Sequence, residues 1–240
     1  MRLDKLLAHT GFGTRKQVKD IIKSGSVFVN GKIEKKDKQH IDPLVDEIMV
    51  DGEVINYEEN VYYMLNKPSG YVSATEDNVY PTVVELIDDY YRDDLFPVGR
   101  LDVDTEGLLI LTNDGTLAHQ LLSPKKHCPK VYYAKIDGIV TQEDVDSFLK
   151  GVTINDDYVC KSAILNILST DLNTSEIEVE IYEGKFHQVK KMFLAVGKEV
   201  TYLKRIRMKD LTLDNELKLG EYRRITAEEL DRLKNDSVIQ

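Results

Sequence analysis

Apolar residues recur at helical spacing at the start of the chain and then give way to short alternating runs. Leu3, Leu6 and Leu7 share one side of a first helix, which Gly11 closes. Thr14, with Gln17 three residues on, is a capping-box start for a second helix that should run to about Ser24 and end at Gly25. Val18, Ile21 and Ile22 fall on one face of that helix and Arg15, Lys16, Lys19 and Lys23 on another, so one side packs and the other is cationic. Val27-Phe28-Val29 then meets Asn30-Gly31, and Ile48-Met49-Val50 meets Asp51-Gly52; both are two-residue hairpin signals. The acidic stretch 56–60 reads as a linker, which predicts domains over 1–59 and 60–240.

From Tyr62 onward, strand-like runs alternate with short amphipathic segments without the regular period of βαβ units, which predicts an α+β architecture. Strands are expected at Leu108–Thr112, Val131–Ile136, Ile177–Ile181 and Val200–Ile206. Helices are expected at Val83–Tyr91, at Gln142–Lys150 after a Thr141 cap, at His187–Val196 and at Ala227–Lys234 after the Thr226/Glu229 capping box.

The net charge of −10 over 240 residues argues at first against a polyanionic partner. Residues 1–40, however, hold 10 Lys+Arg against 4 Asp+Glu, and a local basic surface governs binding more than the sum does. No run approaches the length of apolar sequence that spans a bilayer, and the first ten residues lack an apolar signal core, so a cytoplasmic protein without a membrane partner is expected. Cys128 and Cys160 form no CxxC, and His119, His127 and Cys128 close no ligand set; buried thiols and no metal are expected.

The richest chemistry lies in Gly99-Arg100-Leu101-Asp102-Val103-Asp104-Thr105-Glu106-Gly107, an acidic loop directly before an apolar strand. Its alternating acids and glycine imitate the opening of a calcium loop. The twelfth position fails, because Asn113 stands where a bidentate Glu is required. The string from Gly99 to Gly115 instead resembles the central motif of pseudouridine synthases, specifically the branch that modifies small-subunit ribosomal RNA, the RsuA family. Four further segments agree in order: Leu65 to Tyr71, Ser123 to Tyr132, Glu183 to Phe193, and Gly220 to Arg223. The first 45 residues or so resemble the S4 RNA-binding module. One departure follows the basic helix, where Arg207-Met208-Lys209-Asp210 replaces an expected glycine-containing turn.

The resemblance implies a small N-terminal S4-like α/β module followed by a mixed, mainly antiparallel-sheet catalytic domain. It implies isomerisation of a uridine in 16S rRNA, for which the family's usual target is uridine 516, by a monomer that needs no cofactor. Asp102 carries over as the catalytic carboxylate, Lys190 as the cation that pairs with it, and Tyr132 as a ring that stacks on the unstacked base and whose hydroxyl can reach C5. Arg100 is expected to hold the RNA backbone and assist base flipping. Arg15, Lys16, Lys19, Lys67, His187 and Lys191 are expected to contact RNA, Lys67 through phosphate or by ordering the sheet edge. Two rivals remain: a non-catalytic S4-type binding or assembly factor, and a synthase acting on large-subunit rRNA.

Overall fold

A computed structural model describes residues 1–89, 91–124, 126–155 and 157–235. The chain divides into two compact units, one of Met1–Val61 with Asp88–Leu95, the other of Tyr62–Ile87 with Phe96–Gln240.

In the first unit, α1 (Leu3–His9) and α2 (Arg15–Ser24) precede β1 (Val27–Val29), β2 (Lys32–Ile33), β3 (Ile48–Val50) and β4 (Glu53–Val54), which form a sheet in the order β2-β1-β3-β4. The Thr14/Gln17 box is formed, and Gly25 ends α2 in the left-handed conformation. Both hairpin turns need positive φ at each central residue. Asn30 and Gly31 stand at 50° and 74°, Asp51 and Gly52 at 50° and 89°. Leu3, Leu6, Leu7, Val18, Ile22, Val27, Ile48 and Val50 make the core. The cationic face of α2 is left outside: Arg15, Lys16 and Lys23 are exposed, and Lys19 stands 3.7 Å from Asp37. The Arg2 guanidinium forks onto the carboxylate of Asp4, which is 1% exposed, with bonds of 2.9 and 2.7 Å. Burial works to raise the Asp4 pKa, but Arg2 and Arg15 outweigh it and hold the group ionised below the ordinary carboxylate range.

The segment Asp88–Leu95 belongs to this unit although it lies far along the chain. Tyr91 accepts a bond from the Glu58 amide through its hydroxyl and packs edge-on against His9. The helix expected over Val83–Tyr91 is therefore not formed. Only a 3-10 turn, Val83–Leu86, follows Thr82, and Ile87 is already extended. Asp88 and Asp89 would have stood at the negative end of the helix dipole, which disfavours its continuation. Tyr90 lies outside the described residues.

The second unit contains β5 (Tyr62–Lys67), β6 (Phe96–Pro97), β7 (Glu106–Thr112), α3 (Gly115–Leu122), β8 (Lys130–Asp137), α4 (Gln142–Lys150), β9 (Thr153–Ile154) and β10 (Tyr158–Val159). There follow β11 (Ile164–Thr170), β12 (Thr174–Ile181), α5 (Gln188–Ala195), β13 (Glu199–Met208), β14 (Leu211–Thr212), β15 (Tyr222–Arg224) and α6 (Ala227–Lys234). The main sheet runs β11-β12-β8-β13-β7-β5-β15, with β14 on β13 and β6 on β7. Its pairs are antiparallel except β13 with β7, so the expected mixed, mainly antiparallel sheet is what forms. The predicted bounds of α4 and α6 coincide with the observed ones. Leu117, Ala118 and Leu121 of α3 pack with Met64, Leu108, Ile110 and Met208 of the sheet. Elsewhere α5 packs on β13 and β9, with Phe193 against Phe148 of α4.

The missing glycine after β13 has a local explanation. Lys209 adopts φ 52° itself in the β13–β14 turn, and its ammonium bonds the carbonyls of Leu233 and Asn235. These bonds hold a lysine in a conformation glycine would adopt without strain.

One transverse row of the sheet sets up the site. Lys67 of β5 is opposite Gly107 of β7, Gly107 opposite Arg205 of β13, and Arg205 opposite Tyr132 of β8. Gly107 has φ 99°, and a Cβ there would stand 2.2 Å from the Arg205 carbonyl oxygen. Both strands are interior to the sheet, so neither can step aside. Gly107→Ala should destabilise the second unit by about 4 kcal/mol or more, and urea unfolding measures the loss; a midpoint within experimental error of the parent would refute the close approach.

Candidate active site

The acidic loop between β6 and β7 is held from below. Lys67 is fully buried, and its ammonium donates to the carbonyls of Pro68 (3.0 Å), Asp102 (3.1 Å), Val103 (3.3 Å) and Thr105 (2.8 Å). The Ser73 hydroxyl donates to the Leu101 carbonyl and accepts from its amide, and the Gly70 amide donates to Val103. Leu101 itself is 5% exposed and anchors the loop in the core. With its main chain tied at these points, the loop has little freedom to move Asp102.

Of the two roles expected of Lys67, phosphate contact is therefore not open to it, and an ordering role is. An ammonium with no exposed surface and carbonyl acceptors around it cannot reach a phosphate; its work is to position the loop. Burial lowers its pKa to about 8, against the raising pull of Asp104, Asp102 and Glu106, so at neutral pH it remains a cation.

Above the loop, the N-terminal turn of α5 supplies an ammonium and an imidazole. Lys190 Nζ stands 3.7 Å from Asp102 Oδ2, and His187 Nε2 stands 3.6 Å from Asp102 Oδ1. The Asp102 side chain is 25% exposed, so it opens to solvent while facing both groups. Lys190 sits closer to another acid, however: its ammonium donates to both oxygens of Asp104 at 2.6 and 2.7 Å. The sequence reading gave Lys190 to Asp102 alone and gave Asp104 no part in the site. Partial burial tends to raise the Asp104 pKa; the bonds and charge of Lys190, then its own amide and His187, outweigh it and hold the acid ionised. The signal for Asp104 was available, since it lies two residues from Asp102 in the same turn.

His187 has φ 55° and ψ 33° and caps α5 in the left-handed conformation, uncommon for a residue with a side chain. A network behind the turn stabilises it. Glu183 accepts from the Tyr158 hydroxyl (2.6 Å), the Lys161 amide (3.0 Å) and the Gln188 side chain (2.9 Å), and Gln188 accepts from the Lys185 amide (2.9 Å). Sequence reasoning missed this brace, because Tyr158, Lys161 and Glu183 meet only through the fold.

Tyr132 lies in the row described above, 8% exposed, whereas Tyr133 is on the opposite face, edge-on to Tyr202, whose hydroxyl bonds Glu106 at 2.6 Å. Arg100 is exposed beside the buried Leu101. Lys191 places its ammonium 5.1 Å from the Phe186 ring centroid. Arg15, Lys16 and Lys19 belong to the first unit and are described there.

A carboxylate on a braced loop at a sheet end, faced by an ammonium and an imidazole from one helix turn, is the arrangement of a site that manages charge on a bound substrate. Residues 61–195 match the family RNA pseudouridylate synthase and residues 1–43 match the S4 domain. A crystal structure of a pseudouridylate synthase superposes with TM-score 0.69 at 37% identity, covering 97% of this chain and 99% of that one. An RNA pseudouridine synthase of Bacillus subtilis, itself uncharacterised, is 50% identical over 97% of this chain and 98% of its own. The ribosomal small subunit pseudouridine synthase A of Pasteurella multocida is 40% identical over 96% and 98%, and that of Escherichia coli K12 is 37% identical over 96% and 98%. The chain belongs to the RNA pseudouridylate synthases and, within them, to the family of ribosomal small subunit pseudouridine synthase A.

Proposed function

We propose that this protein isomerises one uridine of small-subunit rRNA, uridine 516 by analogy with the family's usual target, with Asp102 as the carboxylate that meets the reacting nucleoside. The observation that carries the reading is the Asp102 carboxylate itself, fixed through its main chain by Lys67 and faced by Lys190 and His187 within 4 Å.

Pseudouridine formation breaks the bond from uracil N1 to ribose C1′, turns the base, joins C5 to C1′, puts a proton on N1 and releases the proton of C5. Every atom of the substrate except that proton is kept, so the protein's own groups can carry the change. An ionised carboxylate can attack the ribose or the base, or take a proton from the sugar. Each route needs an anion at Asp102, and the Lys190 ammonium stands 3.7 Å from that carboxylate. Lys190, resting on Asp104 at 2.6 Å, can turn toward Asp102 as charge changes there, while Asp104 retains a share of it. Tyr132 supplies a ring of the type on which an extruded base stacks, and Arg100 a guanidinium for the RNA backbone. The exposed Arg15 and Lys16, with Lys19, serve the phosphates of flanking RNA, and the protein works as a monomer in the cytoplasm.

Tritium release from C5-labelled transcripts tests the reading. Release from small-subunit rRNA but not from large-subunit rRNA is expected, with the label lost at one position; release from neither leaves only the binding-factor alternative.

Removing the cation should slow the reaction. Lys190→Ala takes a positive charge from beside Asp102 and should slow turnover about 100-fold at neutral pH while the fold is kept. Turnover equal to the parent's in this variant would separate Lys190 from Asp102 functionally.

A further inference from the structure

The most exposed aromatic ring among the described residues stands beside the catalytic pair and has no assigned use. Phe186 is 69% exposed, while Phe148 and Phe193 are buried. One face of the ring is stacked on the His187 imidazole, with centroids 3.8 Å apart and planes inclined by 22°. The Lys191 ammonium stands 5.1 Å from the ring centroid. His187 in turn faces Asp102 at 3.6 Å. A line of contact thus runs from the catalytic carboxylate through an imidazole to an open aromatic ring with a cation beside it.

The ring is held out by design of the backbone. Phe186 lies inside the turn from Glu183 to Gln188, which Tyr158, Lys161 and Gln188 brace through Glu183 and which the Lys185–Gln188 bonds close in both directions. Gln188 is 4% exposed, so the brace is anchored in the core while the ring it presents is not buried. A single exposed apolar side chain needs no explanation by itself; this one joins 69% exposure to a stack on the imidazole that faces Asp102 and to an ammonium beside the ring. The chemistry that fits an aromatic face next to an ammonium is a nucleobase with its phosphate: the base stacks on the ring and Lys191 moves from the ring to the backbone charge.

We infer that Phe186 is a stacking platform for an unpaired nucleobase next to the target uridine, and that with His187 it forms a step that keeps the extruded nucleoside from returning to its helix. The inference rests on the reading that the substrate is RNA. Sequence preference at the flanking position then comes partly from how well that base stacks on Phe186, with no hydrogen bond required.

The chain contains no tryptophan, so Phe186→Trp creates a single reporter that keeps an aromatic platform. The probe is an in vitro transcript of small-subunit rRNA, added to the full chain. Quenching of the Trp emission by the transcript is expected, with affinity close to the parent's. Phe186→Ala should weaken binding about tenfold, the size of one base–aromatic stack. Its melting temperature should be unchanged, since the ring is exposed, and so should the slope of log Kd against log salt. Lys191→Ala should instead reduce that slope by about one. Emission that does not respond to saturating transcript, or a Phe186→Ala variant that binds as the parent does, overturns the inference. A reporter that ignores the transcript but shifts to the blue with ribosomal proteins overturns it in favour of a protein partner. The two readings fail separately: a Phe186→Trp reporter quenched by the transcript beside a parent that releases no tritium sinks the proposed reaction alone, and a silent reporter beside a parent that releases tritium sinks the platform alone.

Discussion

Asp102→Asn is expected to abolish pseudouridine formation, a loss of about 10^4-fold or more in turnover, while leaving the fold and RNA affinity nearly intact. The substitution keeps the shape of the side chain and removes its charge and basicity. The fold should tolerate it, because the structural work of this residue is done by its main chain: its carbonyl accepts from Lys67 and from the Thr105 amide. The carboxylate itself makes only the longer contacts to Lys190 and His187, at 3.7 and 3.6 Å, and is open to solvent. Losing it removes no short bond and leaves no buried charge unpaired, and Lys190 still has Asp104 at 2.6 Å. Tritium release and thermal melting of the same preparation measure the two effects together. A variant that retains a tenth of parental turnover would remove Asp102 from the chemistry; one that does not fold would show that the carboxylate carries structural work its contacts do not reveal.

Much of this site was legible in the sequence because its parts sit in short contiguous stretches with strong local signals. The capping boxes at Thr14 and Thr226 fixed helix starts through bonds between residues three apart, and those bonds formed. The two Asn-Gly and Asp-Gly turns set the registers of their hairpins for the same reason. Asp102 and Lys190 were picked out because their segments resemble the family's motifs, not by the loop or the helical spacing alone. What escaped was whatever the tertiary fold alone brings together. Nothing local marks the return of Asp88–Leu95 to the first unit, since Tyr91 and His9 are remote in sequence and meet as rings. Nothing local separates a lysine that binds phosphate from one that binds its own backbone, and both roles stood open for Lys67 for that reason. Its neighbours in sequence are apolar or turn-forming, and the loop carbonyls it holds, those of Asp102, Val103 and Thr105, lie 35 to 38 positions away.

Lys67→Met should cost about 3 to 5 kcal/mol of stability and depress turnover well beyond what the residual folded fraction explains. Methionine fills similar volume but donates nothing, so the carbonyls of Asp102, Val103 and Thr105 would lose their shared partner in a site without exposed surface. The loop would then shift to find water, carrying Asp102 with it, and a displacement of about an ångström at a reacting group suffices for a 100-fold loss. The parent protein carries a pH signature of the same contact. Burial sets the ammonium of Lys67 near a pKa of about 8 in the fold, whereas an unfolded lysine titrates near 10.4. Between those values the unfolded chain binds more protons than the native one, so this group's contribution to folding free energy rises with pH. Activity should move the other way across that window, because the neutral amine has one donor fewer for the loop. Turnover that falls above about pH 8 while this group makes the fold more stable cannot come from general alkaline unfolding, and the pattern should vanish in Lys67→Met. Stability and turnover measured at half-unit steps from pH 7 to 10 would show it. A parent whose turnover is flat across that range would mean that Lys67 stays charged throughout, or that the loop does not depend on its third proton.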